Sequence, residues 1–195
     1  VSRNTKETAA QDPRAAVSFV LRETYDAARA RAERKLDAGL KGREVARLYA
    51  AAADEMLTAL WRVATQILFP VSPVESERLS LVAVGGYGRG VLAPFSDLDL
   101  LFLRPAKATP RGENVIEFVL YVLWDLGMKV GPSVRSVEEC LTLSRSDMTV
   151  RTTLLEARPL AGDQALAELM IGRFRDMVSK ADPRPFIAAK LEERT

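Results

Sequence analysis

Apolar positions at helical spacing open the readable part of the chain. Val17, Val20, Leu21, Tyr25 and Ala28 recur between Pro13 and about Leu36, with charges of both signs between them, which predicts an amphipathic helix. Gly39 and Gly42 bracket a break. A longer helix is predicted from about Arg43 to Phe69, its apolar face marked by Val45, Leu48, Tyr49, Ala52, Met56, Leu60, Val63, Ile67 and Leu68. Pro70 and Pro73 end it. The simplest arrangement is an antiparallel pair covering something else. At Leu79 the pattern changes. Leu81-Val82-Ala83-Val84 is a short buried-type strand running into Gly85-Gly86. Tyr87 to Leu92 has room for a short helix before Pro94, and Asp97 to Leu103 reads as a second strand.

Helical spacing returns over Gly112–Leu126. Met128–Arg135 reads as a third strand, interrupted by Gly131-Pro132. Two short helices are expected near Ser136–Leu143 and Asp147–Ala157, then a brief strand at Pro159–Ala161. Asp163 caps a helix to about Val178, and Asp182-Pro183 starts a last helical piece. Short strands among helices of this kind make an α+β fold. The expected organisation is a loose end at 1–12, a helical segment at 13–72, the core domain at 73–180, and the start of a following helical region at 181–195.

Composition narrows the chemistry. Of 195 residues, 48% are hydrophobic and 28% charged, enough apolar side chains for a packed core. Basic and acidic side chains number 28 and 26, so the net charge is only +2 and no basic stripe argues for nucleic-acid binding. The chain has no histidine, which excludes a Ser-His-Asp triad or a zinc-histidine site supplied by these residues. Its one cysteine, Cys140, excludes an internal disulfide and reads as a small core residue. No apolar run reaches the ~18 residues of a membrane helix, and the polar start has no signal-peptide core. A cytoplasmic protein without membrane contact is expected.

One segment carries chemistry. Gly85 and Gly86 sit where a strand gives way to a helix, and glycine lets backbone N–H groups approach an anion such as phosphate. A plain tight turn is the bland alternative. A dinucleotide fingerprint fails because Pro94 leaves no room for a full crossover helix before the next strand. Ten residues separate Gly86 from Asp97, and Asp99 follows two positions later. On one strand, positions i and i+2 share a face, roughly 6.5–7 Å apart. Aspartate is a poor strand former, and two on one face repel unless a cation lies between them. Magnesium or manganese suits such hard oxygen ligands beside a triphosphate. The competing structural account has Asp97 capping a turn and Asp99 pairing with an arginine.

The Gly-Gly turn followed by Asp-Leu-Asp in a strand resembles the DNA polymerase β-type nucleotidyltransferase superfamily. More narrowly, Gly85-Gly86-Tyr87-Gly88-Arg89-Gly90, Leu92-Ala93-Pro94 and Ser96-Asp97-Leu98-Asp99-Leu100-Leu101 resemble the bacterial uridylyltransferase/uridylyl-removing enzymes of nitrogen regulation. The likeness continues through Leu123–Gly131, Ser133-Val134-Arg135, Val137–Cys140, Leu155-Glu156-Ala157-Arg158, Phe186-Ile187 and Ala189-Lys190-Leu191, and so covers about residues 15–195. It implies a small mixed β-sheet flanked by helices, with an N-terminal helical pair. It implies a catalytic and metal-holding role for Asp97 and Asp99 with Mg2+ or Mn2+, and a nucleotide-binding role for Gly85 and Gly86, with Arg89 and Ser96 either nucleotide-binding helpers at the phosphate or metal, or structural, Arg89 then pairing with a nearby acid. The implied reaction moves UMP from UTP to a tyrosine of the PII signalling protein. In the resembled family a histidine–aspartate hydrolase and glutamine-sensing domains follow. A chain without histidine holds no such hydrolase, so an N-terminal fragment is expected, glutamine acting only through domains not in it. Adenylyl transfer on the same fold, or a silent nucleotide-sensing module, stay open. Two departures stand out. The strand Met128–Arg135 holds no acid where many superfamily members have a third carboxylate, so either two carboxylates suffice or another group such as Glu138 or Glu139 approaches, and Pro132 stands where the family often has histidine.

Overall fold

The computed structural model describes residues 12–71 and 74–182, together with Arg184 and Leu191. The loose end expected at 1–11 and most of the helical piece after Asp182 lie outside the described residues. Asp12 caps helix α1 (Pro13–Asp37), its carboxylate accepting from the Arg14 N–H at 2.9 Å. Leu21 and Ala32 of α1 are buried and Val17 and Tyr25 pack against the same core, whereas Val20, expected on that face, is turned outward. Helix α2 (Gly42–Arg62) buries Val45, Tyr49, Ala53, Met56, Leu57 and Leu60. It continues as a π-helical turn, Val63–Leu68. The wider turn rotates the helix face, and Ile67, on the apolar stripe of a regular helix, ends up exposed.

The sheet has four strands, β1 (Ser80–Ala83), β2 (Leu98–Leu103), β3 (Val130–Arg135) and β4 (Arg158–Gly162), in the order β3-β2-β1-β4. β1 runs antiparallel to both β2 and β4, and β2 runs parallel to β3. Between the strands lie α3 (Gly85–Gly88), α4 (Pro110–Asp125), α5 (Val137–Ser146) and α6 (Met148–Leu155), and α7 (Gln164–Ser179) follows β4. The mixed sheet flanked by helices is the architecture expected from the sequence.

Both faces of the sheet are covered. Leu81, Ala83, Leu98, Leu100 and Phe102 pack against α1, α2 and α4. Val82, Val84, Leu101 and Leu103 pack against α5, α6 and α7 through Cys140, Leu154, Met170 and Phe174. Strands buried on two sides explain the unbroken apolar runs in β1 and β2.

Three differences from expectation go beyond shifts of a residue or two at an element's ends or bear on the site. The helix expected over Tyr87–Leu92 is the single turn α3, starting at Gly85 itself. β2 begins at Leu98, so Asp97 precedes the strand: ladder pairing with Val130 starts at Leu98, whose N–H reaches the Lys129 carbonyl at 2.9 Å. β3 runs unbroken through Gly131-Pro132, because it is an edge strand and the missing proline N–H costs it no ladder bond to β2.

Candidate nucleotide-transfer site

The end of β1, the α3 turn and the start of β2 meet at Asp99. Gly85 opens α3 with φ +54°, and a Cβ there would stand 2.7 Å from Oδ2 of Asp99. On the other side, Asp99 is registered opposite Gly131 of β3, where a Cβ would stand 2.9 Å from Oδ1. Two glycines therefore leave open a cradle around one carboxylate that any side chain would fill. Partial burial pushes the Asp99 carboxyl above its ordinary range. The Gly86 backbone N–H pulls it down, and the negative charge of Asp97 pushes it up.

Asp97 is exposed, and neither aspartate takes part in an ion pair among the described residues. The alternative in which Asp99 pairs with an arginine is not what the structure has. Two mutually repelling carboxylates, one in a cradle that side chains vacate, fit a divalent cation with oxygen ligands. Among the described residues no group of three or more His, Cys, Asp and Glu side chains surrounds such a position. The two sequence candidates for a third acid are engaged elsewhere. Glu139 closes a capping box with Ser136 and reaches Arg104 at 3.3 Å, and Glu138 pairs with Arg173. The Ser136 backbone N–H, above all, holds the Glu139 carboxyl below its ordinary range.

The other residues singled out in the sequence sit around this centre. Gly86 is open, a Cβ there meeting only Nη2 of Arg89 at 3.6 Å. Arg89 is exposed and pairs loosely with Glu156, at 3.9 Å. Ser96 is exposed on the loop leading into Asp97, its N–H bonded to the Ala93 carbonyl at 3.1 Å. A cavity of 550 Å³ opens elsewhere, around Trp61, Leu79 and Gly162 at the opposite end of β1, and its Arg78–Asp163 and Arg111–Glu77 pairs are satisfied internally.

One cluster has no counterpart in the sequence reading. The Tyr87 hydroxyl donates to Asp54 of α2, and Arg158 of β4 forks onto the same carboxylate at 2.8 and 3.1 Å. Arg158 also donates to the Gly88 carbonyl at 3.3 Å, and its guanidinium lies 5.6 Å from the centre of the Tyr87 ring. Tyr87 and Arg158 lie inside the motif segments. Asp54 follows an alanine run in a helix and carries no local signal.

Residues 72–159 match the family model described as nucleotidyltransferase domain. The chain is 52% identical over 184 residues to the bifunctional uridylyltransferase/uridylyl-removing enzyme of Caulobacter vibrioides, covering 94% of this chain and 20% of that protein. It is 50% identical over 182 residues to the enzyme of the same name from Phenylobacterium zucineum, covering 93% and 19%. The chain is thus similar over 72–159 to nucleotidyltransferase domains and over nearly all of its own length to these enzymes. It spans about one fifth of the length of the curated relatives it matches. The uridylyltransferase relatives thus agree with the resemblance drawn from Gly85–Gly90 and Ser96–Leu101. A solved toxin–antitoxin structure with AMP-PNP aligns over 71% of this chain and 98% of its own, at 17% identity and a TM-score of 0.40. No helix among the described residues is long and apolar enough to cross a membrane.

Proposed function

We propose that the chain carries the uridylyl-transfer centre of a uridylyltransferase/uridylyl-removing enzyme, moving UMP from UTP to a tyrosine of the PII signalling protein. The observation that carries the reading is the Asp99 cradle: Gly85 and Gly131 vacate both sides of a carboxylate whose neighbour, Asp97, is a second acid, with no counter-ion to either among the described residues. The names of relatives at 50–52% identity support the uridylyl group, and the resemblance of Gly85–Gly90 and Ser96–Leu101 to the enzymes of nitrogen regulation suggests the acceptor.

Asp97 and Asp99 would hold the divalent cations. Bound there, magnesium or manganese would lower the pKa of the acceptor hydroxyl and offset the charge of the departing pyrophosphate. Gly85 leaves the backbone open on the side of Asp99 and Gly86 on the side of Arg89, so the triphosphate would approach main-chain N–H groups without meeting a Cβ. Arg89 stands beside Gly86 on an exposed, loosely paired guanidinium, free to turn to a phosphate oxygen. Ser96 leads the chain into Asp97 and presents a hydroxyl on the same loop. The tyrosyl oxygen of the partner attacks the α-phosphorus, and the bond to pyrophosphate breaks in line.

A second reading rests on Gly131. It occupies the position opposite Asp99 on the neighbouring strand, so no third acid stands there, as in a module that binds nucleotide without turning it over. One experiment separates the two. The full chain is incubated with PII, Mg2+ and UTP or ATP labelled at the α-phosphate. Label on a PII tyrosine from UTP supports uridylyl transfer, and label from ATP alone supports adenylyl transfer. Nucleotide binding without label supports the silent module. Neither binding nor label overturns the nucleotidyltransferase reading.

A further inference from the structure

The Tyr87–Asp54–Arg158 cluster lies behind the glycine turn, away from the open side where Asp99 stands. It ties that turn to two other parts of the fold. α3 is a single turn, too short to hold its own geometry. Its carbonyl at Gly88 accepts from Nε of Arg158, and its side chain at Tyr87 is bonded to Asp54 and wholly buried. The fit is close: a Cβ on Gly88 would stand 2.0 Å from the Glu156 carbonyl oxygen, so α3 rests directly on the backbone entering β4. Arg158 presents Nε to the turn and both Nη atoms to Asp54, at 2.8 and 3.1 Å. The Asp54–Arg158 fork fixes the two groups that hold α3, and the turn cannot shift without breaking the Tyr87–Asp54 and Arg158–Gly88 hydrogen bonds.

We infer that Asp54 and Arg158 are positioning residues for nucleotide transfer: through Tyr87 and Gly88 they hold the Gly85–Gly86 backbone in register with Asp99. The inference rests on the uridylyl-transfer reading. It gives the N-terminal helical pair a part in the reaction, since Asp54 belongs to α2. Neither residue touches the nucleotide. Their effect reaches it only through the turn, where small displacements matter because reacting groups must be held within a fraction of an ångström.

The test compares variants of this cluster with a forked pair of similar exposure at the other end of β1. There, Arg78 donates to Asp163 at 2.6 and 3.1 Å. Arg158→Lys, Asp54→Asn, Tyr87→Phe and Arg78→Lys are made in the full chain. Each is assayed for melting temperature, for nucleotide Kd, and for kcat and KM with UTP and PII well below its melting point. Arg158→Lys keeps the charge but not the fork, and is expected to raise nucleotide Kd about tenfold and lower kcat up to ~100-fold, with KM for PII unchanged. Tyr87→Phe removes one hydroxyl, leaves the Arg158 fork in place, and is expected to do the same more weakly. It carries the test if the charged variants do not fold. Arg78→Lys is expected to lower the melting temperature and leave both kinetic constants alone. If the cluster variants behave like Arg78→Lys, losing stability with nucleotide Kd and kcat intact, the inference is overturned. If the wild-type chain binds no nucleotide, the transfer reading falls first and this inference with it.

Discussion

Gly85 and Asp99 are in direct apposition: the Cβ that Gly85 lacks would stand 2.7 Å from Oδ2 of the carboxylate. The contact is made across two elements, with Gly85 at φ +54° opening α3 and Asp99 in β2. Gly85→Ala meets two obstacles, a backbone conformation that L side chains rarely adopt and a collision with the acid. The carboxylate is the movable partner, so the strain is relieved by displacing Asp99. The expected result is a stability loss of about 1–2 kcal/mol, with nucleotide transfer lost almost completely. Gly86→Ala offers the contrast. Its Cβ meets Nη2 of Arg89 at an ordinary 3.6 Å, so melting should hold while nucleotide affinity falls. Equal affinities for wild type and Gly86→Ala would place the triphosphate elsewhere.

Asp99→Asn tests the charge. Burial and Asp97 both oppose ionisation of this group, so in metal-free buffer at neutral pH the charged form costs the folded protein stability. The neutral isostere should melt higher than wild type and transfer no nucleotide. A variant that melts lower and still transfers would make Asp99 structural.

The glycine–acid spacing was legible because it is local: Gly85, Gly86, Asp97 and Asp99 sit within one β-turn-β passage, and their types are unusual for their places. The two-faced burial of β2 was legible in its unbroken apolar run. What joins distant segments was not. Nothing in the helix around Asp54 distinguishes it from a solvated acid, and only the fold brings it to Tyr87 and Arg158. The continuity of β3 depends on its being at the sheet edge, where Pro132 loses nothing, and edge position is a property of the assembled sheet. Ile67 reads as buried at a period of 3.6, and the π-helical turn that exposes it leaves no mark in the apolar pattern.

Asp163 gives a pH prediction with a defined sign. The side-chain bond from Arg78, above all, holds its carboxyl below the ordinary range. A folded-state pKa below the unfolded value, ~3.9, contributes stability that is present above that value and is lost as pH falls through the folded one. Asp163→Asn keeps a good helix cap for α7, where Oδ1 now accepts from the Leu166 N–H at 2.9 Å, and removes the charge together with the second acceptor, Oδ2, that takes the Arg78 Nε–H. Wild type should therefore melt above Asp163→Asn at neutral pH, with the gap closing below about pH 4. A gap unchanged across that range would mean that the charge contributes nothing.

Cys140 is wholly buried beneath α7, and burial pushes its thiol up to about 11. At neutral pH the thiolate fraction is negligible and the sulfur has no solvent path. A thiol reagent should label the folded chain only at the rate of unfolding, and labelling should become immediate in denaturant. Fast labelling of the native chain would contradict the packing of α5 against α7.

Ligand linkage tests the whole centre without knowledge of the acceptor. Asp97 and Asp99 face each other's charge with no counter-ion among the described residues, and Gly85 and Gly131 leave space on both sides of Asp99. A nucleoside triphosphate with magnesium should bind only the folded state, because the unfolded chain holds neither the cradle nor the turn. The stabilisation then follows RT ln(1 + [L]/Kd), about 2.7 kcal/mol when ligand is ~100 times Kd. For a chain near 200 residues that raises the melting temperature by roughly 5–10 °C. Magnesium alone should give much less, since two carboxylates leave most of an octahedral shell to water. The shift should vanish in the double variant Asp97→Asn/Asp99→Asn, whose neutral side chains keep the fold and lose the cation. UTP should exceed ATP if side chains of this chain read the base, and the two should match if only the triphosphate is held. A shift that survives the double variant would move the nucleotide away from β2, and no shift with any nucleotide would remove the transfer centre altogether.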